Sequence, residues 1–85
     1  MEVKLKTNFF GQPEFKIENP TIKKILLELS KKTKFSILDP TNGEVHSDFK
    51  IYLNSVEYDG LLRGIDTEVK SGDEVEVTLV ILAGG

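Results

Sequence analysis

The sequence predicts an α+β fold, with a mixed sheet of four to five strands packed on one helix. Strictly alternating apolar and charged residues open the chain and return in its second half, as half-buried strands do. Between them lies a single strongly amphipathic stretch, so one helix must cover one sheet face. A third observation is the ending, where an apolar strand runs through Val80-Ile81-Leu82-Ala83 onto Gly84-Gly85.

Glu2-Val3-Lys4-Leu5-Lys6-Thr7 alternates with Val3 and Leu5 on one face. Phe9, Phe10 and Gly11-Gln12-Pro13 interrupt it with turn chemistry. Glu14-Phe15-Lys16-Ile17-Glu18 then alternates again, so the pair reads as an antiparallel hairpin. Asn19-Pro20-Thr21 is a helix start, with Asn19 as N-cap and Pro20 at the first helical position, or Thr21 as the cap. Ile22, Ile25, Leu26 and Leu29 follow at i, i+3, i+4 and i+7, forming one apolar stripe with lysines opposite. Leu27 falls off that stripe. Lysines toward the C-terminal end suit the helix dipole.

Residues 33–48 are irregular. Phe35, Ile37 and Leu38 are apolar, and Asp39-Pro40-Thr41-Asn42-Gly43 is a dense turn signal. Phe49, Ile51 and Leu53 mark a third strand with its apolar side inward, Asn54-Ser55 a turn, and Val56-Glu57-Tyr58 a short return strand. Asp59 to Gly64 is too glycine-rich for a regular helix and reads as a loop or single turn. After a tight turn at Gly72-Asp73 the final strand covers Glu74 to Leu82, with Val75, Val77, Leu79 and Ile81 on one face. Its other face, Glu74, Glu76, Thr78, Val80 and Leu82, becomes apolar toward the end. Two hairpin-like halves around a crossing helix place the first and last strands as parallel central neighbours, with the tail leaving from the sheet edge. That is the β-grasp, or ubiquitin-like, architecture. Residues 1–85 form one domain, with a flexible tail over 83–85.

Composition narrows the chemistry. With 39% hydrophobic and 29% charged residues the chain is too apolar for disorder, and its 85 residues suffice for one modest core. It has no cysteine, which excludes disulfides, zinc knuckles and a thiol nucleophile on this chain. The single histidine, His46, sits in a polar loop and reads as a surface residue, so no metal site is expected. Glu74 and Glu76 share a strand face but read as solvated charges, because nothing apolar encloses them. Residues 1–42 carry eight Lys against five Asp/Glu, and residues 43–85 three Lys/Arg against nine Asp/Glu. The acidic half does not suit direct nucleic-acid binding and fits a basic protein partner or solvent, and the longest apolar stretch, Val75 to Ala83, is too short to span a membrane. Met1 leads straight into a strand with no apolar targeting segment, so a cytoplasmic protein is expected.

Two terminal glycines give a slim end able to enter a narrow cleft, and the chemical handle there is the α-carboxylate of Gly85. Val80 and Leu82 break the polar alternation beside it and, with Tyr52, define a candidate partner patch on the outer sheet face.

Three stretches are similar to the sulfur-carrier family that includes the molybdopterin synthase small subunit and the thiamine-pathway carrier (MoaD/ThiS), relatives of ubiquitin. They are Thr21 to Leu29, Ile51 to Tyr58, and Thr67-Glu68-Val69-Lys70-Ser71-Gly72-Asp73-Glu74-Val75. The last resembles the family's T-x-L-x-x-G-D-E-V, which precedes the final strand and Gly-Gly. The resemblance covers nearly the whole chain except residues 33–48. Many molybdopterin-type members carry Pro-Pro shortly before the glycines, whereas this chain has Val80-Ile81-Leu82-Ala83. The resemblance implies that Gly85 is adenylated and converted to a thiocarboxylate, with Gly84 and Ala83 keeping the approach thin. The chain would bind no cofactor. ATP and magnesium would be used by a ubiquitin-activating-type adenylating enzyme. A large molybdopterin synthase-like subunit, or another sulfur acceptor, would receive the sulfur. The alternatives are a ubiquitin-like modifier joined through Gly85 to lysines, a sulfur donor for tRNA thiolation, and an interaction domain without tail chemistry.

Overall fold

The computed structural model describes residues 2–39 and 41–80. Strands β1 (Glu2–Thr7), β2 (Glu14–Lys16), β3 (Phe49–Leu53), β4 (Val56–Glu57) and β5 (Val75–Leu79) form one mixed sheet, and helix α1 (Ile22–Thr33) crosses it. The strand order is β2-β1-β5-β3-β4, with β1 and β5 parallel and every other pair antiparallel. This is the β-grasp arrangement that the order of elements predicts.

The core follows from the two periodicities meeting. Val3, Leu5, Phe15, Phe49, Ile51, Leu53, Val75 and Val77 project from one sheet face, and Ile22, Ile25, Leu26 and Leu29 from the helix fill the space above them. All four helix residues are completely buried. Each such side chain contributes about 1.5–3 kcal/mol relative to exposure.

The cap of α1 is Thr21, whose Oγ1 accepts the Lys24 N–H at 3.2 Å. Asn19 does not cap. It takes a left-handed φ of 48°, leaving Pro20 before the cap rather than at the first helical position. The reason lies downstream. Ile22 N–H donates to Thr67 O at 3.1 Å and Val69 N–H to Pro20 O at 2.9 Å, so the helix start is registered on the segment that leads into β5.

Residues 33–48 pack on the helix side of the sheet. Lys34 ends α1 in a left-handed conformation, Ile37 is completely buried, and Leu38 bridges Val45. Phe35, Phe9 and Phe49 meet edge to face, with ring centroids 5.3–6.2 Å apart. The span Asp59 to Gly64 falls within two 3-10 turns and their connection, Tyr58–Gly60 and Gly64–Asp66.

Three boundaries differ from expectation. Strand β2 ends at Lys16, because only Glu2, Val3 and Lys4 of β1 pair with it. Tyr58 belongs to a 3-10 turn rather than to β4. And β5 begins at Val75, one residue after the expected Glu74. Among the described residues, no helix is long and apolar enough to cross a membrane.

Candidate functional site at the end of the central strand

Where β1 turns away after Thr7, the neighbouring β5 would lose its partner. The side-chain amide of Asn8 replaces it. Leu79 N–H donates to Asn8 Oδ1 at 2.8 Å, and Asn8 Nδ2 donates to Leu79 O at 3.0 Å. On the other side, Val80 N–H donates to Asp48 O at 2.7 Å, extending the β3–β5 ladder by one rung. The last described residues are thus held from both flanks across large sequence separations. Residues 81–85 start from that base. Leu82, Ala83, Gly84 and Gly85, which carry the expected tail chemistry, lie outside the described residues.

The other end of β5 is fixed as firmly. Gly72 takes φ 92°, a region that a β-carbon disfavours, and lets Asp73 fold back. Asp73 Oδ2 accepts the Lys70 N–H at 2.8 Å and Oδ1 accepts from Asn54 Nδ2 at 3.0 Å. Asn54 Oδ1 in turn accepts the Glu74 N–H at 2.9 Å. Those bonds to the charged form, the Lys70 N–H first and Asn54 second, hold the Asp73 carboxyl below its usual pKa. Gly72-Asp73 therefore fixes the start of the strand.

Tyr52 and Val80 both lie on the outer sheet face, half-buried, but they are not neighbours. Tyr52 faces Glu76 across the ladder, and Val80 is four residues further along β5, about 13 Å at the rise of a strand. The Lys50–Thr78 pair stands between them. Glu76 Oε2 accepts from Thr78 Oγ1 at 3.4 Å, and Lys50 Nζ lies 3.6 Å from Glu57 Oε2. The outer face is therefore a lattice of mixed charge with separated apolar positions.

His46 Nδ1 accepts the Asp48 N–H at 3.2 Å and lies 3.5 Å from the Asp48 carboxylate, on the surface. Among the described residues no three His, Cys, Asp or Glu side chains group as metal ligands. Sequence reasoning missed Asn8. The signal for it is an amide side chain directly after a strand, informative only once β1 and β5 are known to be parallel neighbours.

No family model matches the chain, and no curated protein matches its sequence. Solved structures do match in fold. The Haloferax volcanii HVO 2177 protein superposes with a TM-score of 0.76 at 20% identity, over 99% of this chain and 87% of that one. SAMP1 from the same organism gives 0.74 at 12% identity, over the full length of both chains. A chain of the Amycolatopsis orientalis BexX/CysO complex gives 0.67 at 18% identity, over 98% of each. At these identities the likeness is one of fold, and that fold is ubiquitin-like.

Proposed function

We propose that this ubiquitin-like chain is a sulfur carrier that works through the α-carboxylate of Gly85. The observation that carries the reading is the doubly held base of the tail. Asn8 and Asp48 fix Leu79 and Val80, and the five residues beyond span at most about 17 Å when extended. A short end delivered from a rigid base suits insertion into a partner's cleft, since little ordering is left to do on binding. The CysO fold supports the reading, because it is found in a complex with a second protein, BexX.

A carboxylate is a poor acyl donor, since its leaving group would be an oxide. In the proposed cycle a ubiquitin-activating-type enzyme uses ATP and magnesium. The Gly85 carboxylate oxygen attacks the α-phosphorus, pyrophosphate leaves, and an acyl-adenylate forms. Sulfur from a persulfide donor then displaces AMP, and cleavage of the sulfur–sulfur bond by a thiol leaves the thiocarboxylate. The chain itself supplies a shape, a charged outer face around Tyr52 and Val80 for docking, and the acyl group. The finer proposal for the acceptor is a molybdopterin or tungstopterin precursor held by a large synthase-like subunit. Val80-Ile81-Leu82-Ala83 in place of Pro-Pro makes that acceptor the first point to test.

A second reading has its own support. The full-length match to SAMP1, a ubiquitin-like small archaeal modifier, favours conjugation of Gly85 to lysines of other proteins. Incubating the purified chain with an adenylating enzyme, ATP, a persulfide donor, a reducing thiol and lysine-bearing target proteins separates the two. Accumulation of a thiocarboxylate that a sulfur-free pterin precursor and its synthase subunit consume supports the carrier. Gly-Gly remnants on lysines of other proteins, with no thiocarboxylate, support the modifier.

A further inference from the structure

A groove opens between α1 and the segment that follows it. Leu27, Phe35 and Leu38 form its apolar part, and Lys23, Lys31 and Lys34 stand around it. Leu27 is 44% exposed and Phe35 43%. Phe35 is nevertheless held in place, because Phe9 and Phe49 pack against its ring at 5.3 and 6.2 Å between centroids. Rigid apolar side chains open to water are what an interface anchor needs.

Lys34 sharpens the point. It occupies the left-handed position after the helix, with φ 61° and ψ 14°, and its N–H donates to Ser30 O at 2.8 Å. Glycine is the usual residue there, because a β-carbon disfavours the left-handed region. The lysine holds a charge at the groove at the expense of helix-end stability.

Charge decides the occupant. Residues 22–34 carry five lysines against one glutamate, on a chain whose net charge is −3. Lys31 reaches Glu28 at 3.5 Å, whereas Lys23 and Lys34 make no ion pair among the described residues. The one carboxylate in the lining, Asp39, is already engaged by the N–H and hydroxyl of Thr41. The geometry points to an acidic amphipathic peptide segment of a partner protein, with aliphatic side chains against Leu27, Phe35 and Leu38 and carboxylates toward Lys23, Lys31 and Lys34. A nucleic acid fits less well. No arginine lines the groove, one half-exposed ring is a poor stacking platform, and the chain as a whole is negative. The lining includes none of Asn8, Asp48, Tyr52 or Val80, so this site is separate from the base of the tail and stands independently of the proposed sulfur chemistry.

The probe is a synthetic fluorescein-labelled peptide of roughly three helical turns, with leucines at i, i+3, i+4 and i+7 and glutamates elsewhere. Anisotropy titration at low salt is expected to give a dissociation constant on the order of 10–100 μM, with amide shifts confined to residues 23–43. Lys23→Glu weakens binding roughly three- to tenfold. Lys34→Gly raises the melting temperature while weakening the peptide, a combination that a purely structural role for Lys34 does not produce. Absence of saturable binding overturns the proposal. So does an affinity unchanged by both variants, or shifts that map to the outer sheet face. A single-stranded oligonucleotide or a phosphatidylserine vesicle that binds these residues more tightly than the peptide also overturns it.

Discussion

Asn8 does for the base of the tail what another residue of β1 would do if the strand continued, offering a donor and an acceptor at ladder spacing to Leu79. Replacing it with Ala removes both bonds at once. Each is worth about 0.5–1.5 kcal/mol, so Asn8→Ala should lower stability by about 1–3 kcal/mol and speed exchange of the Leu79 amide well beyond that of Val77. Unchanged exchange at Leu79 contradicts the clamp. Asp73 gives a pH signature. Its folded pKa is depressed, so the stability it contributes is present above the ordinary carboxylate value and is lost as pH falls through the lower folded value. Thermal melts should show Asp73→Asn below the parent at neutral pH, with the gap narrowing as pH falls below the ordinary carboxylate range. A gap that persists in acid means that Asp73 acts by some route other than its charge. The Gly-Asp turn was visible in the sequence, but its role was not, because Asn54 lies 19 residues away and only the fold brings its amide to the carboxylate.

At the scale of elements, helix and strands were legible because burial obeys their periods. Ile22, Ile25, Leu26 and Leu29 are the stripe read at i, i+3, i+4 and i+7, and all are fully enclosed. Leu26→Ala should cost about 2–5 kcal/mol by cavity formation. For 85 residues the whole stability is about 4–13 kcal/mol, so calorimetry should find this variant close to unfolding at physiological temperature. The β3–β4 turn carries a smaller strain. Asn54 and Ser55 take φ values of 51° and 70°, the two left-handed positions of a primed hairpin turn, and serine tolerates the second poorly. Ser55→Gly should raise stability by about 0.5–1 kcal/mol in a denaturant titration, and a decrease would contradict that account of the turn. Residues 33–48 resisted sequence reading for a physical reason. Ile37 is buried as deeply as any helix residue, yet a single enclosed side chain in an irregular segment leaves no period to detect. The helix cap was ambiguous for a similar reason. Thr21 won over Asn19 through backbone bonds to Thr67 and Val69, partners far along the chain.

Across the whole molecule, the fold brings the first and last strands together as parallel central neighbours, as their order in the chain implied. A central strand has partners on both sides, which is why Leu79 and Val80 can be fixed from two directions. The Thr67-to-Val75 motif likewise turns out to be scaffold: Val69 enters the core, Thr67 receives the helix start, and Asp73 closes the turn before β5. These groups serve the fold, and the proposed tail chemistry falls to Gly85. That assignment requires a free α-carboxylate on Gly85 in the cell, and intact-mass analysis of the chain purified from its native source tests it most directly. The expected species is heavier by the exchange of one oxygen for one sulfur, mapped by fragmentation to Gly85 and generated in vitro only when ATP, an adenylating enzyme, a persulfide donor and a reducing thiol are all present. A terminus that stays an unmodified carboxylate under those conditions, with full function after removal of Gly84 and Gly85, would contradict it.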